Sequence, residues 1–349
     1  MVVALLFYPC QVIPSLWDKL ENSDTVVYTK ETFATFPDLL VSDLRFKNSI
    51  RISDANPQQS DFLWGTAELF EWISLEGRKL EGLLYKPEGF DPSRKYPLIV
   101  HFFHKSSSEL YYYRTPEFHS SRIDYSYFTS NGYVVFNPDV YFDPGYVGES
   151  AYKSVMSGVV ALINKGIIDP ARIGAQGHSY SGYQLAYLAT RTQMFACIQS
   201  GAPVVNFFSA YGGIRWESGR SRAFQYEHHQ TLGSIWEVPL RFFENSPLFF
   251  MDKVTTPILI MHNDQDGAVP WTQGIEYFIA LRRLRKPVWL LNYNGEPHGL
   301  RQLKNKRDFH IRMAQFFGHY LKGEPMPRWM KEGVPAVAKD YDLGYEDMK

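Results

Sequence analysis

Cysteine is nearly absent: Cys10 and Cys197 are the only two in 349 residues. Two thiols exclude a disulfide scaffold and any multi-cysteine zinc or iron–sulfur site. Cys197 stands in the apolar run Phe195–Ile198 and reads as an inert core thiol. Long hydrophobic runs are missing too. No stretch reaches the roughly 18 apolar residues of a membrane helix, so no membrane span is expected. Charge of one sign is not in excess, since Lys+Arg 36 against Asp+Glu 37 leaves a net charge of −1. That argues against a broad basic surface for nucleic acid and against an acidic disordered tail. No low-complexity tract and no repeat of fixed period occurs. A secretory leader is not expected either: residues 1–10 are apolar but carry no basic flank and no small-residue cleavage site. Tyr8-Pro9 ahead of Cys10 does not suit a lipoprotein. A truncated or internally started reading frame is expected. The chain as written suits the cytoplasm, with a periplasmic full-length parent as the alternative.

What is present is material for a core. Hydrophobic residues make up 45% and aromatics 16%, with 25 Phe, 23 Tyr and 8 Trp. At about 150 residues per domain, the length allows one to three domains. Residues 25–53 read as short strands separated by turns, with Val26-Val27-Tyr28 and Leu39-Leu40-Val41 as the apolar runs. A hairpin and one further short strand cannot bury themselves alone, so this segment needs something to pack on. Asn56-Pro57-Gln58-Gln59 reads as a linker. Residues 68–74 and 80–85 then form a hairpin about a turn at Glu76-Gly77.

From Tyr96 the texture changes. Apolar runs at 97–103, 132–137, 172–176, 195–199, 257–262 and 288–292 alternate with helical periods at 150–165, 180–190, 272–283 and 304–321. Short buried strands alternating with amphipathic helices predict an α/β fold, a mostly parallel sheet with helices on both faces.

One strand-to-helix junction carries chemistry. Gly177-His178-Ser179-Tyr180-Ser181-Gly182-Tyr183 nearly matches the nucleophile elbow G-x-S-x-G, with Ser181 where the second glycine belongs and a glycine one place later. The turn needs small residues because it is strained and the helix passes close to the strand. The N–H after the serine, on Tyr180, then faces a developing oxyanion. An acid and a histidine must follow in that order. Two loops at the ends of later strands supply them: Asn263-Asp264-Gln265-Asp266, with two candidate acids, and Glu296-Pro297-His298-Gly299. The acid would orient the imidazole, and the imidazole would take the serine proton and return it to the leaving group.

Other sites read as bland. His228-His229 is an adjacent pair without an H-E-x-x-H pattern and reads as surface. Gly212-Gly213 has no phosphate-loop context. The basic run at 281–286 reads as the exposed end of a helix, where cations suit the dipole.

Taken together, the elbow, the run His262-Asn263-Asp264-Gln265-Asp266-Gly267-Ala268-Val269-Pro270 and Glu296-Pro297-His298-Gly299 resemble the G-x-S-x-G-G-Y, H-G-x-x-D-x-x-V-P and terminal histidine motifs of the prolyl oligopeptidase family. The resemblance covers roughly residues 25–323. The separations, 87 residues from Ser179 to Asp266 and 32 from Asp266 to His298, agree in kind. It implies an α/β-hydrolase domain over 71–323, with residues 1–70 a β-rich remnant of a last propeller blade plus linker, and 324–349 a C-terminal tail. It implies a serine peptidase of oligopeptides working through an acyl-enzyme, with Ser179 as nucleophile, Asp266 as the acid with Asp264 as the fallback, and His298 as base. No metal or organic cofactor is implied.

The oxyanion loop departs from the family. His101-Phe102-Phe103-His104 carries no glycine, and Phe103 stands near where resembling enzymes place a tyrosine hydroxyl. The second donor, beside Tyr180 N–H, is then a backbone N–H of the Phe102–Lys105 segment or a hydroxyl among Tyr111, Tyr112 and Tyr113; a packed aromatic strip is the favoured reading of those tyrosines. Phe207, Phe208, Tyr211 and Trp216 follow a segment that lines the specificity pocket in the resembling enzymes, which would suit proline or another apolar side chain. Ala268 replaces the asparagine of dipeptidyl-cleaving relatives, which argues against that specificity. The peptide substrate is the expected partner. Open strand edges in 1–70 would favour homo-oligomers. An esterase of the same fold and a catalytically weak binding remnant are the alternatives.

Overall fold

The computed structural model describes residues 13–19, 21, 23–335, 337–338 and 341–347; Cys10 lies outside them. Strands β1 (Ile13–Lys19), β2 (Thr25–Glu31), β3 (Leu39–Asp43) and β4 (Ile50–Arg51) form an antiparallel meander in that order. Strands β5 (Thr66–Ile73), β6 (Lys79–Lys86), β7 (Tyr96–His101), β8 (Val134–Pro138), β9 (Ile168–His178) and β10 (Cys197–Gly201) belong to a second sheet. A small hairpin, β11 (Ile214–Arg215) with β12 (Arg220–Ser221), comes next, and β13 (Ile258–Met261) and β14 (Val288–Leu291) complete the large sheet. Its order is β14-β13-β10-β9-β7-β8-β6-β5, eight strands in all. The run from β14 to β8 is parallel, and β6 and β5 are antiparallel additions. This is the α/β-hydrolase arrangement.

Helices α1 (Tyr125–Ser130), α2 (Val147–Asn164), α3 (Tyr180–Ala189), α4 (Phe207–Tyr211), α5 (Ala223–Gln225), α6 (Pro239–Glu244), α7 (Thr272–Arg283), α8 (Leu303–Lys322) and α9 (Arg328–Lys331) surround it. The strand period of two sorts side chains between two cores. Leu98, Val100, Ile198, Ile258 and Ile260 face α2, α3 and α7, through Val155, Leu185 and Leu281. Ile99, Cys197, Leu259 and Met261 face α1 and α8, through Phe128, Met313 and Phe317. Both faces are covered, so the central strands read as unbroken apolar runs. No helix among the described residues is long and apolar enough to cross a membrane.

The first sheet rests on the second through aromatic rings, which meets its need for a packing partner. Phe33 is buried against Trp64 and Tyr85, and Tyr113 sits between Phe36 and Trp64. Tyr113 is thus part of a packed strip, with its hydroxyl accepting from Asn56 Nδ2 at 3.0 Å. Two boundaries differ from the sequence reading. Strand β5 starts at Thr66, ahead of residue 71, because its pairing with β6 runs the full length of the hairpin. Residues 324–349 contain α9, whose Trp329 and Met330 are buried in the core beneath α8. Trp289 Nε1 donates to Met330 O at 2.7 Å and fixes that segment to the edge strand β14.

Candidate active site

Ser179 stands between β9 and α3 with φ +60° and ψ −114°, a conformation L-residues rarely hold. Its neighbours make the turn feasible. Ser179 N donates to Gly201 O at 2.8 Å, and Tyr183 N donates to Ser179 O at 3.0 Å to open the helix. A Cβ on Gly182 would stand 2.2 Å from Gly201 O, so the close approach of helix to strand demands glycine at 182. Position 181 faces elsewhere. Ser181 Oγ accepts from His178 N at 2.9 Å and donates to His178 O at 3.0 Å, clasping the turn from inside. A Cβ on Gly177 would press on that Ser181 side chain at 2.7–2.9 Å. The substitution of serine for the motif's second glycine therefore supplies a hydroxyl staple, and the glycine requirement moves one place on.

Asp266 follows β13 and is fully shielded at its side chain. Its Oδ1 accepts from Ala268 N at 2.9 Å and Val269 N at 2.8 Å, while Oδ2 lies 2.7 Å from His298 Nδ1. A carboxylate with that donor set accepts, so Nδ1 carries the proton and Nε2 is the free lone pair. Burial opposes ionisation of Asp266, but hydrogen bonds from His262 and His298 outweigh it and hold the carboxyl well below its usual range. The His298 ring is about a quarter exposed and lies 4.6 Å, centroid to centroid, from that of His178, the residue before Ser179. Burial, then the neighbouring His298, pushes His178 down to about 3. Asp266 and His298 are thus paired, and Ser179 follows His178, whose ring lies against that of His298; the three residues follow β9, β13 and β14 at the carboxyl ends of the parallel strands, where α/β sheets place their sites.

Asp264 lies elsewhere. It is turned outward and accepts from Gly295 N at 2.7 Å and Asn294 Nδ2 at 3.1 Å, a loop brace. Three residues without an assigned role in the sequence hold the acid and base loops together. Glu296, buried, accepts from Arg301 N at 2.7 Å, Gln302 N at 3.0 Å and Asn305 Nδ2 at 2.6 Å, so it clamps the His298 loop to the start of α8. Those donors outweigh burial and hold its carboxyl below the usual range. Asn263 Nδ2 donates to Pro297 O at 2.8 Å, and Asn292 Nδ2 donates to His262 O at 3.0 Å. Glu296, His262 and Asn263 stand in the two sequence motifs, which was the available signal; Asn292 lies outside them.

The candidate oxyanion loop follows β7. Pairing of His101 with Gln176 carries the chain beyond β7 alongside the chain entering the elbow. Phe102 is buried and the Phe103 ring is half-exposed. Among the described residues, Phe103 N–H has no protein acceptor, and Tyr180 N–H lies at the unpaired first turn of α3. The loop is braced behind by Asp139, whose carboxylate accepts from Ser106 N at 2.6 Å and Ser107 N at 3.0 Å.

The four aromatic pocket candidates part company. Phe207 is fully buried between Tyr183 and Tyr226, because the Asn206 cap turns α4 so that this side faces the core. Phe208 and Tyr211 share Phe242, at 5.8 and 5.2 Å. Trp216 stands out on the β11–β12 hairpin, 74% exposed. Elsewhere, His228 and His229 are exposed in a short helical turn, and no group of three metal-ligating side chains is placed to hold an ion among the described residues. Burial raises the Cys197 thiol well above its ordinary value.

The profile of the prolyl oligopeptidase family matches residues 119–324. Dipeptidyl-peptidase 5 of Porphyromonas endodontalis is 25% identical over 307 residues, 80% of this chain and 41% of that protein. The acylamino-acid-releasing enzyme of Rattus norvegicus is 30% identical over 174 residues, 47% of this chain and 23% of that protein. The chain therefore spans less than half the length of these relatives. Among solved structures, Pyrococcus horikoshii acylaminoacyl peptidase superposes with a TM-score of 0.70 at 20% identity, covering 92% of this chain and 51% of that one.

Proposed function

Because this chain belongs to the prolyl oligopeptidase family, we propose that it is a serine peptidase acting through Ser179, His298 and Asp266. The observation that carries the reading is the 2.7 Å His298–Asp266 bond beside a serine held at φ +60°. Ser179 Oγ attacks the scissile carbonyl while His298 Nε2 takes its proton. Asp266 fixes the Nδ1–H tautomer and stabilises the imidazolium. The proton passes to the leaving amine, which departs and leaves an acyl ester on Ser179. Water, deprotonated by the same imidazole, then releases the acid and restores the serine. Tyr180 N–H and Phe103 N–H are the oxyanion donors in this reading, with the N-terminal dipole of α3 behind the first.

Phe208 and Tyr211 are the pocket residues this reading retains, and they suit an apolar side chain ahead of the scissile bond. The names of the relatives, a dipeptidyl-peptidase and acylamino-acid-releasing enzymes, suggest cleavage near a peptide's amino end. The four-stranded meander β1–β4 supports reading residues 1–70 as a propeller's last blade. Ester hydrolysis is the second reading, favoured by the missing hydroxyl at Phe103. Comparing a peptide anilide with a p-nitrophenyl ester separates the two.

A fluorophosphonate probe followed by peptide mapping tests the triad. The label is expected on Ser179 and lost in Ser179→Ala and His298→Ala, with both variants falling to a similar residual rate because the triad acts as a unit. A label on another serine, or none on a folded chain, overturns the assignment.

A further inference from the structure

Asp266 is held by a second imidazole that the proposed chemistry does not use. His262 ends the apolar run of β13 and is fully buried. Its Nε2 lies 3.2 Å from Asp266 Oδ2 and 3.3 Å from Val269 O. Its Nδ1 is also buried and has no partner among the described residues. Two acceptors face Nε2 and nothing faces Nδ1, so the proton belongs on Nε2 and the lone pair on Nδ1. Helix α7 closes over that ring without a side chain, since a Cβ on Gly274 would stand 2.6 Å from His262 Nδ1. Asp266 Oδ2 therefore accepts from two imidazoles, His298 on the solvent side and His262 from within.

We propose that His262 is a positioning residue that weakens and aims the Asp266–His298 hydrogen bond, and thereby sets the pH at which the enzyme becomes active. The inference rests on the triad reading. A carboxylate oxygen shared between two N–H donors offers each less charge than it would offer one. His298 in its protonated form gains less from Asp266 than it would from an unshared carboxylate, and so gives up its proton more readily. The shared oxygen is also pinned, since Oδ1 is fixed by two backbone N–H groups. The neighbouring charged and titratable groups do not compete for it. Asp264 and Glu296 are turned to Gly295 N and to Arg301 and Gln302 N. Glu217 packs over Gly267, and Arg222 Nη1 donates to Ala268 O. His178 lies against the His298 ring, and its two nitrogens have no hydrogen-bond partner among the described residues.

The test is the pH profile of kcat/KM on a peptide anilide for His262→Leu, which removes the donor at similar volume, and His262→Gln, which keeps an N–H at similar reach. In His262→Leu the acid limb is expected to move upward by about half a pH unit or more, roughly threefold in proton affinity. His262→Gln is expected to return it to the parent's position. A purely structural role would lower the rate without moving the limb. An unmoved limb in a folded His262→Leu, judged by full fluorophosphonate labelling, overturns the proposal. Nitrogen-15 spectra of the unmodified chain, labelled at histidine, give a second measurement that needs neither a folded variant nor activity. His262 is expected as the Nε2–H tautomer, and the Nδ1–H tautomer overturns the proposal. A chain that labels at no serine fails the triad reading instead, and its spectrum still reports on the His262 donor.

Discussion

Ser179 holds its strained backbone because three neighbours over-determine it: the Gly201 carbonyl, the Ser181 hydroxyl and the helix that starts at Tyr180. Strain of this kind costs about 1–3 kcal/mol and persists where the surroundings enforce it. The oxyanion loop has no such abundance. Phe103 offers a free N–H and a ring that cannot donate, so in the proposed mechanism the stabilisation of a tetrahedral intermediate would rest on two backbone groups. Losing one donor typically costs about 10²–10³ in rate. Phe103→Tyr tests whether a hydroxyl is wanted. If the loop backbone supplies the second donor, peptide turnover in Phe103→Tyr should stay within about threefold of the parent. A gain of about tenfold, some 1.4 kcal/mol of barrier, would show that the backbone does not fill the role. Ester substrates should respond less, because their better leaving group lowers the barrier before the oxyanion needs full support.

At the level of elements, the elbow is a contact between α3 and β10 made without side chains. The Cβ added by Gly182→Ala would meet Gly201 O at 2.2 Å. Neither group is a flexible side chain, so helix and strand must separate. A cost of about 3 kcal/mol is expected, read as a thermal midpoint lowered by about 5–10 °C, with activity reduced further because Ser179 N and Gly201 O share the same turn. Ser181→Gly, which restores the family pattern, should also destabilise, by about 1–2 kcal/mol through the lost staple. A Gly182→Ala protein as stable as the parent would refute the close-contact argument. These elements were largely legible in the sequence. The helical period of residues 272–283 coincides with α7, and the apolar runs at 257–262 and 288–292 contain β13 and β14. Ser179, Asp266 and His298 could be proposed together from the sequence because a triad must sit at strand ends in a fixed order. The preference for Asp266 over Asp264 came from the resemblance, and it agrees with burial, since one carboxylate is enclosed and the other braces a loop. Phe207 shows the limit. An aromatic next to Phe208 gives no hint of which ring faces the cleft, because that depends on how the Asn206 cap rotates a five-residue helix. His262 was hidden for a related reason: an apolar strand ending in histidine does not reveal where its nitrogens point. The same holds for the segment after α8, whose Trp329 is placed by Arg312 and Gln315 of that helix and by the Gly344 carbonyl.

On the scale of the whole molecule, the buried histidines link folding to pH. His101 and His178 are pushed down to about 3, and His119 and His310 to about 4, in each case first by burial. A histidine whose folded value lies below its unfolded value of 6.5 takes its proton first in the unfolded chain. The stability it permits is therefore whole above about pH 6.5 and is lost as pH falls toward 4 and then 3. Each such group removes about 1.4 kcal/mol per pH unit across that window. Asp266, held low, adds to the loss only below its ordinary carboxylate value of 3.8. By pH 5 the four histidines together remove several kcal/mol, a large share of the roughly 5–15 kcal/mol a domain possesses. Denaturant midpoints should therefore fall steeply between pH 7.5 and 5. His310→Gln keeps a donor for His119 O and removes one titrating group, so it should flatten the slope by about a quarter. A midpoint constant from pH 7.5 to 5 would mean that these imidazoles reach water in the folded chain. The same experiment separates two causes of lost activity in acid. Protonation of His298 reverses at once when an acid-treated sample returns to pH 7.5, whereas unfolding driven by the buried histidines returns activity no faster than the chain refolds.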